Sequence, residues 1–221
     1  MENKLKIVTS NDGSHTIYRK DIDEHYHSIH GSIQESMHVF INAGLIDFLT
    51  TYNTKQLNIL EIGFGTGLNA LLTIQENLRL KQQINYHSLE PFPVPQNIIE
   101  HINYKDINAK LFTKIHQANW NKLELIEENF KLMKIKSKLE DFNSTQNYDL
   151  IYYDAFGPNS QHEMWSLPLF NKLYGFLNQP GALVTYCAKG QVRRDLQSVG
   201  FKMERLDGPK GKREMLRGIK N

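Results

Sequence analysis

The sequence predicts an α/β fold, a mainly parallel twisted sheet with helices on both faces, and three observations predict it. Short aliphatic runs alternate with amphipathic stretches from LNILEIG through QVRRDLQSVG, the pattern of repeated right-handed βαβ crossovers. A glycine-rich turn joins the first strand of that series to its helix. The chain then closes on FKMERL and REMLRGIK around the turn DGPKGK, an antiparallel hairpin expected to cap one sheet edge. With 221 residues, 40% of them hydrophobic and 23% charged, one globular domain is expected. Residues 1–52 read as an extension and 53–221 as the core.

In chain order, LKIVTS and HTIYRK flank NDGS and read as a small amino-terminal hairpin. Ser32-Ile-Gln-Glu35 matches a capping box, and Ile33, Met37, Phe40, Ile41, Leu45 and Phe48 recur at helical spacing to about Thr51. LNILEIG is a strand, LNALLTIQENLRL a helix, INYHSLE a strand, PQNIIEHINY the start of a helix and FKLMKIKSKL a third strand. DLIYYDA and GALVTYC are further strands, separated by a helical stretch from Met164 to Leu177 and followed by the helix QVRRDLQSVG.

Composition narrows the function classes. The first residues, MENKLKIVTSNDG, lack the apolar core of a secretory signal, and no later run approaches the roughly 20 apolar residues of a membrane span, so a cytoplasmic protein with no membrane partner is expected. Cys187 is the single cysteine, which excludes an intramolecular disulfide and a thiolate metal cluster. The histidines of HYHSIH stand two and three apart; without cysteine nearby they read as pocket-lining or packing groups, and no metal is expected. The net charge is only +2, yet from Lys189 onward ten Lys/Arg face four acids, a net +6 that leaves the remainder near −4.

The segment EIGFGTGLN (61–69) follows a strand and opens a helix. Gly63, Gly65 and Gly67 let the main chain turn tightly and approach a ligand. A dinucleotide fingerprint needs its third glycine at position 68, which is Leu68. Glu61, directly before the loop, suits a cationic amino group better than a pyrophosphate. Glu90 ends the next strand, 29 residues on, where a carboxylate can accept both hydroxyls of a ribose. Loop, leading acid and second acid together, with Leu68 and Asn69 opening the helix, point to S-adenosylmethionine and a Rossmann-like class I methyltransferase. Which residue between Lys136 and Asp141 holds the adenine is left open.

Asp154 ends the strand DLIYYD beside that loop, where the cofactor's methyl group is expected. A carboxylate followed by an aromatic residue and a proline is similar to the turn with which amino methyltransferases hold an exocyclic nitrogen. Such a carboxylate accepts the amine's N–H bonds and stabilises the positive charge that develops on it. The alternative, that Asp154 only satisfies turn amides, is common after strands.

Taken in order, YHSIHGSIQESMHVFINAGL from Tyr26, EIGFGTGLNAL, YDLIYYDAFGP, EMW at Glu163, TYCAKGQVRRDLQSVGF from Thr185 and KREML at Lys212 resemble one family, the methyltransferase domain of the tRNA-modifying enzyme MnmC and its stand-alone form MnmD. The resemblance implies methyl transfer from S-adenosylmethionine to the primary amine of 5-aminomethyl-2-thiouridine at wobble position 34, giving 5-methylaminomethyl-2-thiouridine. It also implies that a chain of this extent carries no FAD oxidase domain. A tRNA anticodon stem-loop is then the expected partner, with Lys189, Arg193, Arg194, Lys210, Lys212 and Arg213 on phosphates. Tyr26, Phe156 and Trp165 can stack on the base or serve as core and lid. Two other readings compete: an aminopropyltransferase of the spermidine-synthase type, which needs several acids converging on a polycation, and a non-catalytic tRNA-binding protein, which leaves Glu61, Glu90 and Asp154 unexplained.

Overall fold

A computed structural model describes residues 4–221; residues 1–3, the start of the polar amino-terminal run, lie outside the described residues. The strands are β1 (Leu5–Thr9), β2 (His15–Arg19), β3 (Glu24–His25), β4 (Gln56–Ile62), β5 (Gln83–Leu89), β6 (Leu123–Glu127), β7 (Phe130–Ile135), β8 (Tyr148–Tyr153), β9 (Leu177–Thr185), β10 (Lys202–Asp207) and β11 (Glu214–Lys220). The helices are α1 (Ser32–Ser36), α2 (Asp47–Tyr52), α3 (Leu68–Leu80), α4 (Gln96–Ile99), α5 (Lys105–Gln117), α6 (Leu167–Phe176) and α7 (Gly190–Ser198). A π-helical segment, Met37–Ile46, fuses α1 to α2, and a 3-10 turn, His162–Trp165, precedes α6.

Eight strands form the main sheet in the order β10-β11-β9-β8-β4-β5-β7-β6. Its five central strands, β9, β8, β4, β5 and β7, run parallel, while β6 and the β10–β11 hairpin add antiparallel edges. Successive side chains of a strand point to opposite faces, so the buried run Leu150–Tyr153 feeds two cores. Leu150 and Tyr152 pack beneath the π-helical segment with Phe40 and Val184, whereas Ile151 and Tyr153 pack with Trp165 and Phe170. The strand order reverses at β4, which lies between β5 and β8, and this switch point is where an open parallel sheet leaves a crevice at its carboxyl edge.

The amino-terminal hairpin forms as expected, with Leu5 opposite Arg19 and Thr9 opposite His15. It gains a third strand, β3, too short to be read from periodicity. The edge strand β6 was likewise not expected, and the strand expected to run on through Lys138 ends at Ile135. There Asn121 Oδ1 takes the Lys136 amide at 2.9 Å and Ser137 N–H turns back to the Ile135 carbonyl. The helix expected over PQNIIEHINY is only the short α4, and a separate α5 follows.

The capping box is also corrected. Neither Ser32 nor Glu35 caps α1, whose N-cap Gly31 supplies no side-chain bond. Asp12, in the turn of the hairpin, does so from a distance: its Oδ2 accepts the amides of Ile33 (3.1 Å) and Gln34 (3.2 Å), and its Oδ1 accepts the Ser10 hydroxyl and the Ser14 amide. Partial burial works against this carboxylate, but the bonds from Ser14, Ser10 and Gln34 outweigh it and lower its pKa to about 2. A depressed carboxylate pKa contributes stability above the unfolded value near 3.8 that disappears as pH falls to about 2. Asp12→Ala is expected to lower stability at pH 7 by about 1 kcal/mol, in the range for lost helix caps, and to flatten the acid limb of the stability curve. Urea unfolding at pH 7, 4 and 2.5 measures both effects.

Candidate active site

The carboxyl ends of β4, β5 and β8 are stitched together by main-chain bonds. Gly63 N–H and Phe64 N–H both donate to the Leu89 carbonyl (3.0 and 3.2 Å), and Asp154 N–H donates to the Ile62 carbonyl at 3.0 Å. Gly63, at φ +99°, lies so close to β8 that a Cβ would stand 2.7 Å from the Asp154 carbonyl oxygen. Gly65, at φ +51°, leaves the space that the Tyr26 ring occupies, and its amide donates to Glu90 Oε2 at 3.0 Å. Glycine is therefore required twice, once for the approach of β8 and once for that of the amino-terminal segment.

These strand ends floor a cavity of about 520 Å³, within the usual size of small-molecule sites. Toward one end lie Glu90, Pro91, Phe92 and the 137–140 loop after β7. Glu90 is buried, and its Oε1 accepts the Phe92 amide at 2.9 Å. Each carboxylate oxygen thus keeps a lone pair for a further donor from the cavity. Burial raises the Glu90 pKa against the pull of the Phe92 and Gly65 amides.

The opposite end is built around Asp154. Its Oδ2 accepts the Asn69 side-chain amide at 2.8 Å from the first turn of α3. Burial pushes its pKa well above the usual carboxylate range; the Asn69 bond and Lys212 act downward, and Glu35 and Glu61 upward. Tyr26 and Phe156, both lining the cavity, meet edge to face with their centroids 5.0 Å apart, Tyr26 resting against Gly65 and the Arg19 guanidinium standing 5.4 Å from the Phe156 ring. His27 is buried beside them and bonds Thr66 Oγ1 at 2.9 Å, and burial lowers its pKa to about 4, so the imidazole is neutral. Among the described residues no group of three His, Cys, Asp or Glu is arranged to hold a metal ion.

The other expected residues fall in different places. Glu61 is fully buried behind the loop and does not line the cavity; its Oε2 accepts the Ser88 hydroxyl at 2.5 Å, its Oε1 has no partner among the described residues, and burial pushes its pKa up to about 7. Gly67 and Leu68 lie beneath the loop, and Asn69 reaches Asp154 from behind rather than lining the cavity. Trp165 is a core residue, packed on Tyr153 and bonded through Nε1 to the Phe156 carbonyl at 2.7 Å. Arg193 and Arg194 stand on α7, outside the cavity, with Arg194 bonded to Gln191. Arg213, with Lys189 and Arg205, lines a shallower groove that shares Glu24, Tyr186 and Lys212 with the cavity. Lys212 turns inward, where its Nζ donates to Glu35 Oε2 at 2.8 Å and sits 4.0 Å over the Tyr186 ring.

Sequence reasoning missed Glu35 because the capping-box pattern accounted for it locally. It also missed Glu24, whose Oε1 accepts the Ser160 hydroxyl at 2.7 Å.

A family model described as S-adenosyl-L-methionine-dependent methyltransferase matches residues 99–221, more than half of the chain. Among solved structures the chain is similar to MNMC2 from Aquifex aeolicus, at 24% identity and a TM-score of 0.77 over 97% of this chain and 70% of that one. It is similar to spermidine synthase from Thermotoga maritima at 13% identity and a TM-score of 0.59, over 98% of this chain and 69% of that one. SAM-bound CalS10, an amino pentose methyltransferase from Micromonospora echinaspora, matches at 8% identity and a TM-score of 0.51, over 87% of this chain and 93% of that one. At these identities the three structures establish the fold.

Proposed function

The chain belongs to the S-adenosyl-L-methionine-dependent methyltransferases, and from that premise we propose that it methylates the primary amine of 5-aminomethyl-2-thiouridine at wobble position 34 of tRNA, giving 5-methylaminomethyl-2-thiouridine. The observation that carries this reading is Asp154, a carboxylate held by Asn69 at the mouth of the glycine loop, in the cavity that also contains Glu90. The ordered series of segments resembling the MnmC methyltransferase domain and the fold shared with Aquifex MNMC2 support the choice of acceptor.

The residues present fit the cofactor. Glu90 stands in the cavity with lone pairs for two ribose hydroxyls, Gly63 and Gly65 of the glycine loop line the cavity beside it, and Ser137, Lys138, Leu139 and Glu140 wall the space beyond it for the adenine. When bound, S-adenosylmethionine supplies an electrophilic methyl carbon. Asp154 accepts N–H bonds from the neutral amine, which aims the nitrogen lone pair away from the carboxylate, and it stabilises the positive charge of the methylated nitrogen. Tyr26 and Phe156 wall the same cavity.

Nucleoside mass spectrometry of tRNA from a strain lacking the protein tests the reading. Accumulation of the aminomethyl nucleoside, and its conversion by purified protein with labelled S-adenosylmethionine, is the expected result. Transfer of an aminopropyl group to a polyamine, with tRNA unlabelled, would overturn it.

The basic tail divides on the same reading. Arg205 and Arg213 line the groove next to the cavity, whereas Arg193 and Arg194 do not. Arg205→Ala with Arg213→Ala is expected to weaken tRNA binding and to reduce the slope of log K against log salt by about 1 for each phosphate no longer neutralised. The pair Arg193→Ala and Arg194→Ala should change that slope less, and filter binding over a salt series compares the two.

A further inference from the structure

Glu35 and Lys212 form an ion pair inside the cavity, beside the carboxylate that receives the amine. The pair is built. Because Asp12 caps α1, Glu35 is not needed there, and its side chain, 9% exposed, faces Lys212. Lys212 comes from the β10–β11 turn, which is fixed rather than trailing. Its own amide donates to the Pro209 carbonyl at 2.8 Å, Gly208 N–H donates to the Arg213 carbonyl at 3.1 Å, and the Asp207 carbonyl, at the start of the turn, is bonded to His38 at 2.7 Å. The ammonium is further held over the Tyr186 ring, and the Tyr186 hydroxyl donates to the carbonyl of Ala155, the neighbour of Asp154.

The chemistry of the acceptor gives this arrangement a purpose. An alkyl amine such as that of lysine titrates near 10.4, so the substrate arrives at pH 7 as an ammonium and must release a proton to solvent before its nitrogen can form a bond to the methyl carbon. Two bare carboxylates would stabilise the ammonium and obstruct that release, whereas a fixed cation beside them favours it. We infer that the Glu35–Lys212 pair sets the protonation state of the acceptor amine, with Lys212 as the fixed cation and Glu35 as the anchor that holds it beside Asp154. The inference rests on the proposed amine methylation.

Other titratable groups share the space: Asp154 after β8, Tyr186 after β9, Glu24 and His25 from β3, Glu90 after β5, Lys138 and Glu140 from the loop after β7 and Glu163 from the 3-10 turn line the same cavity, and Glu61 lies behind the loop. Arg19 and Tyr26 close it from the amino-terminal sheet, and His27 beside them is neutral. Burial is the largest influence on Asp154 and the Asn69 bond the next; of the charges around it Glu35 and Glu61 raise its pKa and Lys212 lowers it, the two members of the pair acting in the directions the inference requires.

The test is the pH dependence of kcat/KM on tRNA carrying the aminomethyl nucleoside, with cofactor affinity measured by calorimetry in each variant. Lys212→Met is expected to move the acid limb up by about one pH unit, with a corresponding loss of about tenfold at pH 7 that recovers at higher pH. Lys212→Arg should keep the wild-type limb. Glu35→Gln, which leaves Lys212 uncompensated, should move the limb down, and the double variant Glu35→Gln/Lys212→Met should return it toward wild type. An unmoved limb in Lys212→Met, or a shift that the double variant does not reverse, overturns the inference. If Lys212→Met does not fold, the direction of the Glu35→Gln shift decides, and an unmoved or raised limb there is equally fatal. Absence of methylation by the wild-type protein would instead sink the proposed function, so the two failures are distinct.

Discussion

Asp154→Ala is expected to reduce methyl transfer by about 10²- to 10³-fold, the scale for removing one preorganised electrostatic partner, while S-adenosylmethionine affinity stays within a factor of about three. The split follows from the proposed roles: Asp154 receives the acceptor amine, whereas the cofactor's ribose is assigned to Glu90, a separate carboxylate in the same cavity that is held by the Gly65 and Phe92 amides. Single-turnover rates with calorimetric affinities separate the two quantities, and equal losses in both would remove Asp154 from its role. Burial raises its pKa, so its ionised, amine-accepting form is depleted as pH falls through a value above the ordinary carboxylate range. This titration adds to the acid limb set by proton release from the amine, and Lys212 moves both in the same direction, so activity should fall on the acid side earlier than an ordinary aspartate would dictate. Stability has the opposite sign. A carboxyl whose folded pKa is raised contributes stability below its unfolded value that is lost as pH rises through the folded value. Asp154→Asn removes that loss and is expected to raise Tm at pH 8 even as it removes activity.

Glu90→Gln should weaken S-adenosylmethionine binding by about tenfold or more, the loss of one to two hydrogen bonds to a charged acceptor. Both Glu90 oxygens accept main-chain amides, from Gly65 and Phe92. A side-chain amide would point an N–H at one of those donors, so the loop would be disturbed as well as the ribose site that the proposed function assigns to Glu90. Isothermal titration of wild type and variant measures the change. An unaltered Kd would mean that the cofactor does not use this end of the cavity.

Much of the fold was legible because it is written in local patterns. The parallel strands are continuous apolar runs punctuated by glycine and proline, and Asp154 and Glu90 stand at the strand ends that those runs define. What escaped the sequence depends on contacts distant along the chain. The cap of α1 comes from Asp12, about twenty residues earlier, so a local capping box was a reasonable and wrong account of Glu35. The two-residue β3 and the edge strand β6 carry too little periodicity to announce themselves. A run of positive charge does not say which side chains turn inward: Lys212 enters the cavity and Arg213 lines the adjoining groove, though they are neighbours. The burial of Glu61 was invisible for the same reason, since only the packed sheet shows that an acid next to a loop lies behind it.

The close approach of Gly63 to Asp154 ties the two halves of the site by main chain alone. On the proposed function, side-chain substitutions around this point would therefore alter which nitrogen is admitted without changing the span between the glycine loop and Asp154. In an engineering sense the site is a fixed chassis with an exchangeable front. Retargeting it to another amine should begin with Glu35, Lys212 and Phe156, and leave the strand ends untouched.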